Sequence, residues 1–196
     1  TMLYTTFLGG SQDDEVTSIA LDGSGNVVVA GYTRSNEFPL MNPVQATKGG
    51  YSDAFVAKIS ADGKRLLYST YLGGNSEDAA TALALDAQGN IVVAGNTSSE
   101  NFPVAGASDA VFKGGQDLFV AKIAAVDGSL QYSGFIGGSS ADDAAGITVD
   151  AAGNAYIVGS TSSRDYPTLN AFQTAIKPFV NWQNQSYYYP DAFLTK

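Results

Sequence analysis

Apolar residues come in short runs along this chain, and no window repeats them at i, i+3, i+4 and i+7 over a useful length. VVVA at Val27–Ala30, IVVA at Ile91–Ala94 and AYIV at Ala155–Val158 are apolar at consecutive positions. Such a strand buries both faces. Around these runs lie stretches rich in aromatic and β-branched residues: LYTTFLGG at Leu3–Gly10, TSIALD at Thr17–Asp22 and DAFVAKIS at Asp53–Ser60. That composition suits pleated, half-buried strands. The segments DGSGN, DAQGN and DAAGN separate the second strand from the third. Their Asp can hydrogen-bond the turning backbone, and the Gly three positions on can take positive φ. DGK at Asp62–Lys64 and DGS at Asp127–Ser129 predict the next hairpin. The expected fold class is all-β.

The strands recur. LYTTFLGG returns as LYSTYLGG at Leu67–Gly74 and as QYSGFIGG at Gln131–Gly138, which places Tyr4, Tyr68 and Tyr132 64 residues apart. The same shift relates Asp14, Asp78 and Asp142, the turn acids Asp22, Asp86 and Asp150, and Pro39, Pro103 and Pro167. DAFVAK is answered by DLFVAK at Asp117, while DAFLTK begins at Asp191, ten residues late. The chain therefore reads as three copies of one unit with an insertion in the last. Each unit predicts a four-stranded antiparallel sheet whose central strand is covered on both faces. Radial stacking of blades provides that cover. The expected organisation of residues 1–196 is one repeat domain: an outer strand at 3–10, then blades at about 11–74, 75–138 and 139–196, with the insertion within 175–190. The segment Ser35–Ser52 and its counterparts would form long loops at the blade rim.

The succession YSTYLGG, an acidic pair, ALALD, GNIVVAGNTSS, NFP, GG and DxFVAK resembles the SBBP β-propeller repeat of bacterial proteins, in order and in all three copies. The resemblance implies propeller blades, extracellular or at the bacterial cell surface. It implies no catalytic activity and carries no site residues over.

Strand order predicts TSIALD innermost and YSTYLGG outermost. The third blade then lacks its own outer strand and the first residues supply a spare one. Leu3, Tyr4, Thr5, Thr6, Phe7 and Leu8 are expected to pair with the edge Ala192–Lys196 around Phe193, in cis or from a neighbouring chain. Three blades are fewer than the four to eight that propellers typically close with. The expected partner is therefore self-association as a two-chain ring or a filament, or else flanking blades of a longer chain.

Composition narrows the chemistry. Ten Lys and Arg against 19 Asp and Glu leave a net charge of −9, which argues against nucleic acid and against docking on anionic membrane. No apolar run approaches a membrane span. The chain has no Cys and no His, so disulfides, thiolate chemistry and imidazole-based catalysis are excluded. No helix follows the Gly-Gly pairs, so they do not form a phosphate cradle. The acidic loops SQDDE, NSEDA and SADDA offer Asp14, Asp78 and Asp142, with Asp13, Glu77 and Asp143, as ligands for a hard cation such as Ca²⁺. Their spacing lacks the D-x-D-x-D-G pattern, and the preferred reading is turn aspartates that accept backbone N–H bonds; no cofactor is expected. Asp22, Asp86 and Asp150 are read as hairpin residues, and Lys58, Lys122 and Lys196 as solvated charges near a sheet edge.

The insertion AIKPFVNWQNQSYYYP breaks the symmetry. It holds Trp182, the sole tryptophan, with Tyr187, Tyr188 and Tyr189 and the amides Asn181, Gln183, Asn184 and Gln185. Aromatic faces beside amides suit a surface glycan or a protein contact; a plug between blades or a lid on the stack would use the same residues. The leading functional expectation is a non-enzymatic extracellular propeller segment for assembly or protein interaction. A carbohydrate-binding module built on the insertion is the second reading. An acid-based hydrolase or lyase is the weakest, because acids repeated in every copy suit architecture better than one asymmetric site.

Overall fold

The computed structural model describes residues 1–107 and 110–196. β1 (Asp14–Leu21), β2 (Val27–Thr33), β3 (Asp53–Ile59) and β4 (Leu66–Leu72) form one antiparallel sheet in that order. β5 (Asp78–Leu85), β6 (Ile91–Thr97), β7 (Asp117–Ile123) and β8 (Leu130–Ile136) form the second in the same register, so the sheets are two blades of one design. The third has three strands, with β10 (Ala155–Thr161) between β9 (Asp142–Val149) and β13 (Asp191–Thr195). The insertion carries a small hairpin of its own, β11 (Phe179–Val180) against β12 (Ser186–Tyr187).

The consecutive apolar runs of β2 and β6 are buried on both faces as their pattern predicts, whereas in β10 only Ile157 is buried and Val158 is exposed. Val28, Val29 and Ala30 are all buried, each pointing to the opposite face from the one before. One face of blade 1 (Val28, Ala30, Ala54, Val56, Tyr68, Leu72) meets Ala80, Leu83, Val93 and Phe119 of blade 2 in one apolar cluster. The equivalent face of blade 2 (Val92, Ala94, Leu118, Val120) meets Ala144, Ile157 and Phe193 of blade 3. Each innermost strand packs on the blade before it: β5 on β1, β2 and β3, and β9 on β5, β6 and β7. The rim loops also supply core. Phe38 lies 4.5 Å from Phe55, and Phe102 stacks on Phe119 at 4.4 Å.

The Gly in VVVAGYT, IVVAGNT and YIVGST has a backbone cause. The inner strand bulges between Val16 and Ser18 and between Ala80 and Ala82. This bulge drives the carbonyl of Glu15 onto Gly31 and that of Ala79 onto Gly95, and Asp143 meets Gly159 likewise. A side chain at any of the three would overlap backbone that cannot move aside.

Closure of the third blade within one chain is not made. Residues 1–10 form no strand and are largely exposed, with Phe7 fully so, while β13 is an open edge beside β10. The reason is position: Leu8 packs in the Phe38, Phe55 and Tyr71 cluster of blade 1, two blades from β13.

Candidate functional site

The acidic loops are hydrogen-bond cages. In blade 2, Asp78 is buried and its Oδ2 accepts from Gly74 N at 2.7 Å and Ser99 Oγ at 2.8 Å. Blade 3 repeats this at Asp142 with Gly138 N at 2.7 Å and Ser163 Oγ at 2.8 Å. Blade 1 repeats it at Asp14 with Gly10 N at 2.7 Å and Ser35 Oγ at 3.0 Å, and the Thr33 hydroxyl donates to Asp14 Oδ1. The serine is held by a second bond, from Ser99 N to Thr97 Oγ1 at 3.0 Å and from Ser163 N to Thr161 Oγ1 at 3.0 Å. Sequence reasoning did not single out these T-x-S pairs, although Thr33-Ser35, Thr97-Ser99 and Thr161-Ser163 keep the repeat spacing.

The three candidate cation ligands lie one to a blade and do not converge. Among the described residues no group of three or more acids has metal-binding geometry. Asp13 pairs instead with Arg34 at 2.7 Å, and Asp143 accepts from Gln116 Nε2 at 2.5 Å and Asn96 Nδ2 at 3.0 Å. Asp53 and Asp78 both crowd Gly73, where a Cβ would fall 2.6 Å from Asp53 Cγ and 2.8 Å from Asp78 Oδ2. Asp53 accepts from Gln45 Nε2 at 2.8 Å, Gly49 N at 2.9 Å and Gly50 N at 3.0 Å. Burial, with a smaller push from the Asp53 charge, raises the Asp78 carboxyl above its ordinary range. Asp78 and Asp142 face backbone and hydroxyl donors inside the fold.

The turn acids behave as read, with one correction. Asp22 Oδ1 accepts from Ser24 N at 2.8 Å and Asn26 N at 2.9 Å, and Asp86 and Asp150 repeat the pattern. Lys58 and Lys122, expected as solvated edge charges, instead reach Asp22 and Asp86 at 2.8 Å, and Lys196 reaches Asp150 at 3.7 Å. The reason is register: the lysine on the third strand lies beside the turn joining the first two, so a partner is within reach. The Lys58 hydrogen bond lowers the Asp22 carboxyl below the usual carboxylate range. Burial opposes the same effect at Asp86, but Lys122 and Asn90 outweigh it and hold the carboxyl at about 2.

The insertion is a fourth use of the same turn chemistry. Asn181 Oδ1 accepts from Gln183 N at 3.0 Å and Gln185 N at 2.9 Å, and its Nδ2 donates to Gln185 Oε1 at 3.0 Å. Asn184 takes φ 62°, the place Gly25 takes with φ 78°. NWQNQ is thus DGSGN rebuilt with Asn in place of Asp and of Gly, and Trp182 stands where Gly23 stands. Three of the four amides named as binding candidates, Asn181, Asn184 and Gln185, build the turn. Trp182 is 91% exposed at the turn, and Tyr187, Tyr188 and Tyr189 are also exposed. Arg164 Cζ lies 4.2 Å over the Tyr188 ring and ties the hairpin to the blade. The apolar side chains of the hairpin are exposed, so the plug between blades, one of the alternative readings of the insertion, is not formed.

Two broad apolar surfaces remain. On blade 3, Val158 and Leu194 are 45% and 70% exposed and share a shallow hollow with Gly146, Ile147, Thr148 and Tyr156. On blade 1, Val16, Ile19 and Leu21 are exposed, whereas their counterparts Ala80, Leu83 and Leu85 lie in the contact between blades 1 and 2. Stacked antiparallel blades, two of four strands and one of three, a bulged inner strand and two open blade faces define a propeller-type repeat protein. The profile of the SBBP beta-propeller repeat matches residues 3–39, 67–103 and 131–167. The chain belongs to that family. No curated protein matches the chain significantly.

Proposed function

We propose that this chain is a non-enzymatic extracellular assembly module that works by stacking blades against its two open faces. The observation that carries this reading is the pair of exposed surfaces, Val158 with Leu194 on blade 3 and Val16 with Ile19 on blade 1. Each is the repeat counterpart of a surface buried in the two internal blade contacts. Uncovered apolar faces of this kind mark interaction sites. Family membership supports a structural or interaction role. The test is light scattering across a concentration series for the native chain and for Leu194→Asp. The native chain is expected to gain mass with concentration, and the variant to stay at single-chain mass. Identical masses for both at every concentration would refute the reading.

A glycan-binding role for the hairpin is the second reading, supported by the exposure of Trp182 on a braced turn. Trp182→Ala is then expected to abolish glycan-array signal. Undiminished signal removes this reading.

A further inference from the structure

The two internal blade contacts share one apolar seat and differ in their polar atoms. The seat matches position by position under the repeat: Val28, Ala30, Val56 and Ala80 at the first contact are Val92, Ala94, Val120 and Ala144 at the second. The backbone bond beside it is also shared, from Asp78 N to Ser52 O and from Asp142 N to Gln116 O, each at 2.9 Å. The side-chain bonds are not shared. Between blades 2 and 3, Asp143 Oδ1 accepts from Gln116 Nε2 at 2.5 Å and Asn96 Nδ2 at 3.0 Å, and Asn96 Oδ1 accepts from Ala144 N at 2.8 Å. The counterparts of Asp143, Gln116 and Asn96 between blades 1 and 2 are Ala79, Ser52 and Tyr32. The Tyr32 hydroxyl donates to Glu15 Oε2 of its own blade at 2.9 Å. This first contact is bonded from the inner strand instead: Thr17 Oγ1 donates to Ala80 O at 2.7 Å, and Ser18 Oγ accepts from Leu83 N at 3.0 Å. The counterpart of Ser18 on blade 2 is Ala82, which has no hydroxyl.

We propose that these polar atoms determine which blade each face accepts, and that Asn96 and Gln116 of blade 2 with Asp143 of blade 3 form the key of the second contact. An apolar seat common to both contacts cannot discriminate between blades. Hydrogen bonds to a carboxylate can, because a mismatched blade leaves buried donors or acceptors unpaired. Were the amide face of blade 2 to receive the inner strand of another blade 2, Ala79 would stand in the place of Asp143 and both amides would lose their acceptor. Were blade 1 to receive the inner strand of blade 3, Asp143 would meet Tyr32, whose hydroxyl already serves Glu15. Blades this alike can join in the wrong order unless something beyond the seat tells them apart. For partners, the key rests on the blade-stacking reading above and deepens it. A face that carries the two amides takes a blade with a carboxylate directly after its caged aspartate, and a face without them takes a blade that lacks it.

Two experiments on the whole chain test the key, both read as the unfolding constant from denaturant titration. The first exchanges its charge. Asn96→Asp sets two carboxylates against each other and is expected to raise the unfolding constant about tenfold or more, whereas Asn96→Asp with Asp143→Asn restores a donor opposite an acceptor and is expected to return within about threefold of native. If the losses of the two single variants simply add in the double, the proposal is overturned. The second moves the key to the first contact. Ala79→Asp is expected to raise the unfolding constant about tenfold or more in the native chain, and threefold or less in a chain already carrying Tyr32→Asn and Ser52→Gln. An equal cost in both backgrounds overturns the proposal, since the transplanted amides then read nothing. Circular dichroism checks that each variant folds, and if the Tyr32→Asn and Ser52→Gln chain does not, the charge exchange decides alone. Both measurements are made within one chain. A native chain that gains no mass in light scattering therefore removes the blade-stacking reading and leaves the key standing, while additive losses remove the key and leave that reading standing.

Discussion

Replacing Asp78 by Ala separates an architectural acid from a metal ligand. The carboxylate is 1% exposed and accepts from Gly74 N at 2.7 Å and Ser99 Oγ at 2.8 Å. Bonds to a charged acceptor contribute about 1.5–3 kcal/mol each, and their loss leaves a buried N–H and a buried hydroxyl without an acceptor. Against this, removal relieves the burial and the Asp53 repulsion that raise the Asp78 carboxyl. The net expected loss is about 3 kcal/mol, or roughly 6–12 °C in Tm for a chain of this size. Asp14 makes the same bonds to Gly10 and Ser35 from a half-exposed position, so water can replace them and Asp14→Ala should lose about 1 kcal/mol. The assay is thermal unfolding at neutral pH, followed by circular dichroism, in EDTA and in excess CaCl₂. Both losses should appear equally in the two buffers. A native Tm that rises several degrees with CaCl₂, with the rise absent in Asp78→Ala, would refute the cage reading, because a ligand at about 100 times its Kd adds about 2.7 kcal/mol. An unchanged Tm for Asp78→Ala would refute it equally.

Gly95→Ala should destabilise the chain by about 1–3 kcal/mol in denaturant unfolding, because the new methyl meets the Ala79 carbonyl and lies 2.6 Å from the Phe119 ring; a neutral result would contradict the bulge geometry. The acid limb of stability follows from the turn acids. Asp86 is held at about 2, below its unfolded value, so its contribution is full above about pH 4 and is lost as pH falls through about 2. The raised Asp78 carboxyl acts in the opposite sense, favouring the fold as pH drops toward the ordinary carboxylate range. Lys122→Met should flatten the loss attributed to Asp86 in denaturant midpoints measured across pH 2–6; an unchanged acid limb would show that the pair contributes nothing.

What the sequence made legible was equivalence. Consecutive apolar runs at Val27 and Ile91 marked strands covered on both sides, the run at Ala155 repeats them on a blade with one face open, and the 64-residue offset told which residues play the same part in each blade. It did not tell which neighbour each part touches. Lys58 looked like a lone edge charge because Asp22 is 36 positions away in the chain, and only the register of β2 on β3 brings them together. The turn inside NWQNQ was hidden by its amides, since Asn181 and Asn184 replace the Asp and Gly that usually announce such a hairpin. The T-x-S pairs were repeated in plain view, yet their role depends on the acid and the Gly-Gly pair that the fold sets beside them.

The location of the first residues follows from the same limit. Alignment shows that Tyr4 corresponds to Tyr68, and strand order shows that both belong to an outer strand, which led to the expectation of closure at Phe193. The structure adds that an outer strand serves two blades at once. β4 hydrogen-bonds to β3 of its own blade, while Tyr68 and Leu72 anchor it to the blade that follows. Residues 4–10 hold the second of these contacts and lack the first. A unit counted by its sequence repeat therefore straddles two blades, with its opening strand completing one sheet and its remaining strands building the next. Blades divided in this way cannot all be complete within a linear array. The sheet of β9, β10 and β13 accordingly has no outer strand, while residues 4–10 hold an outer strand's contacts to the following blade without a sheet of their own.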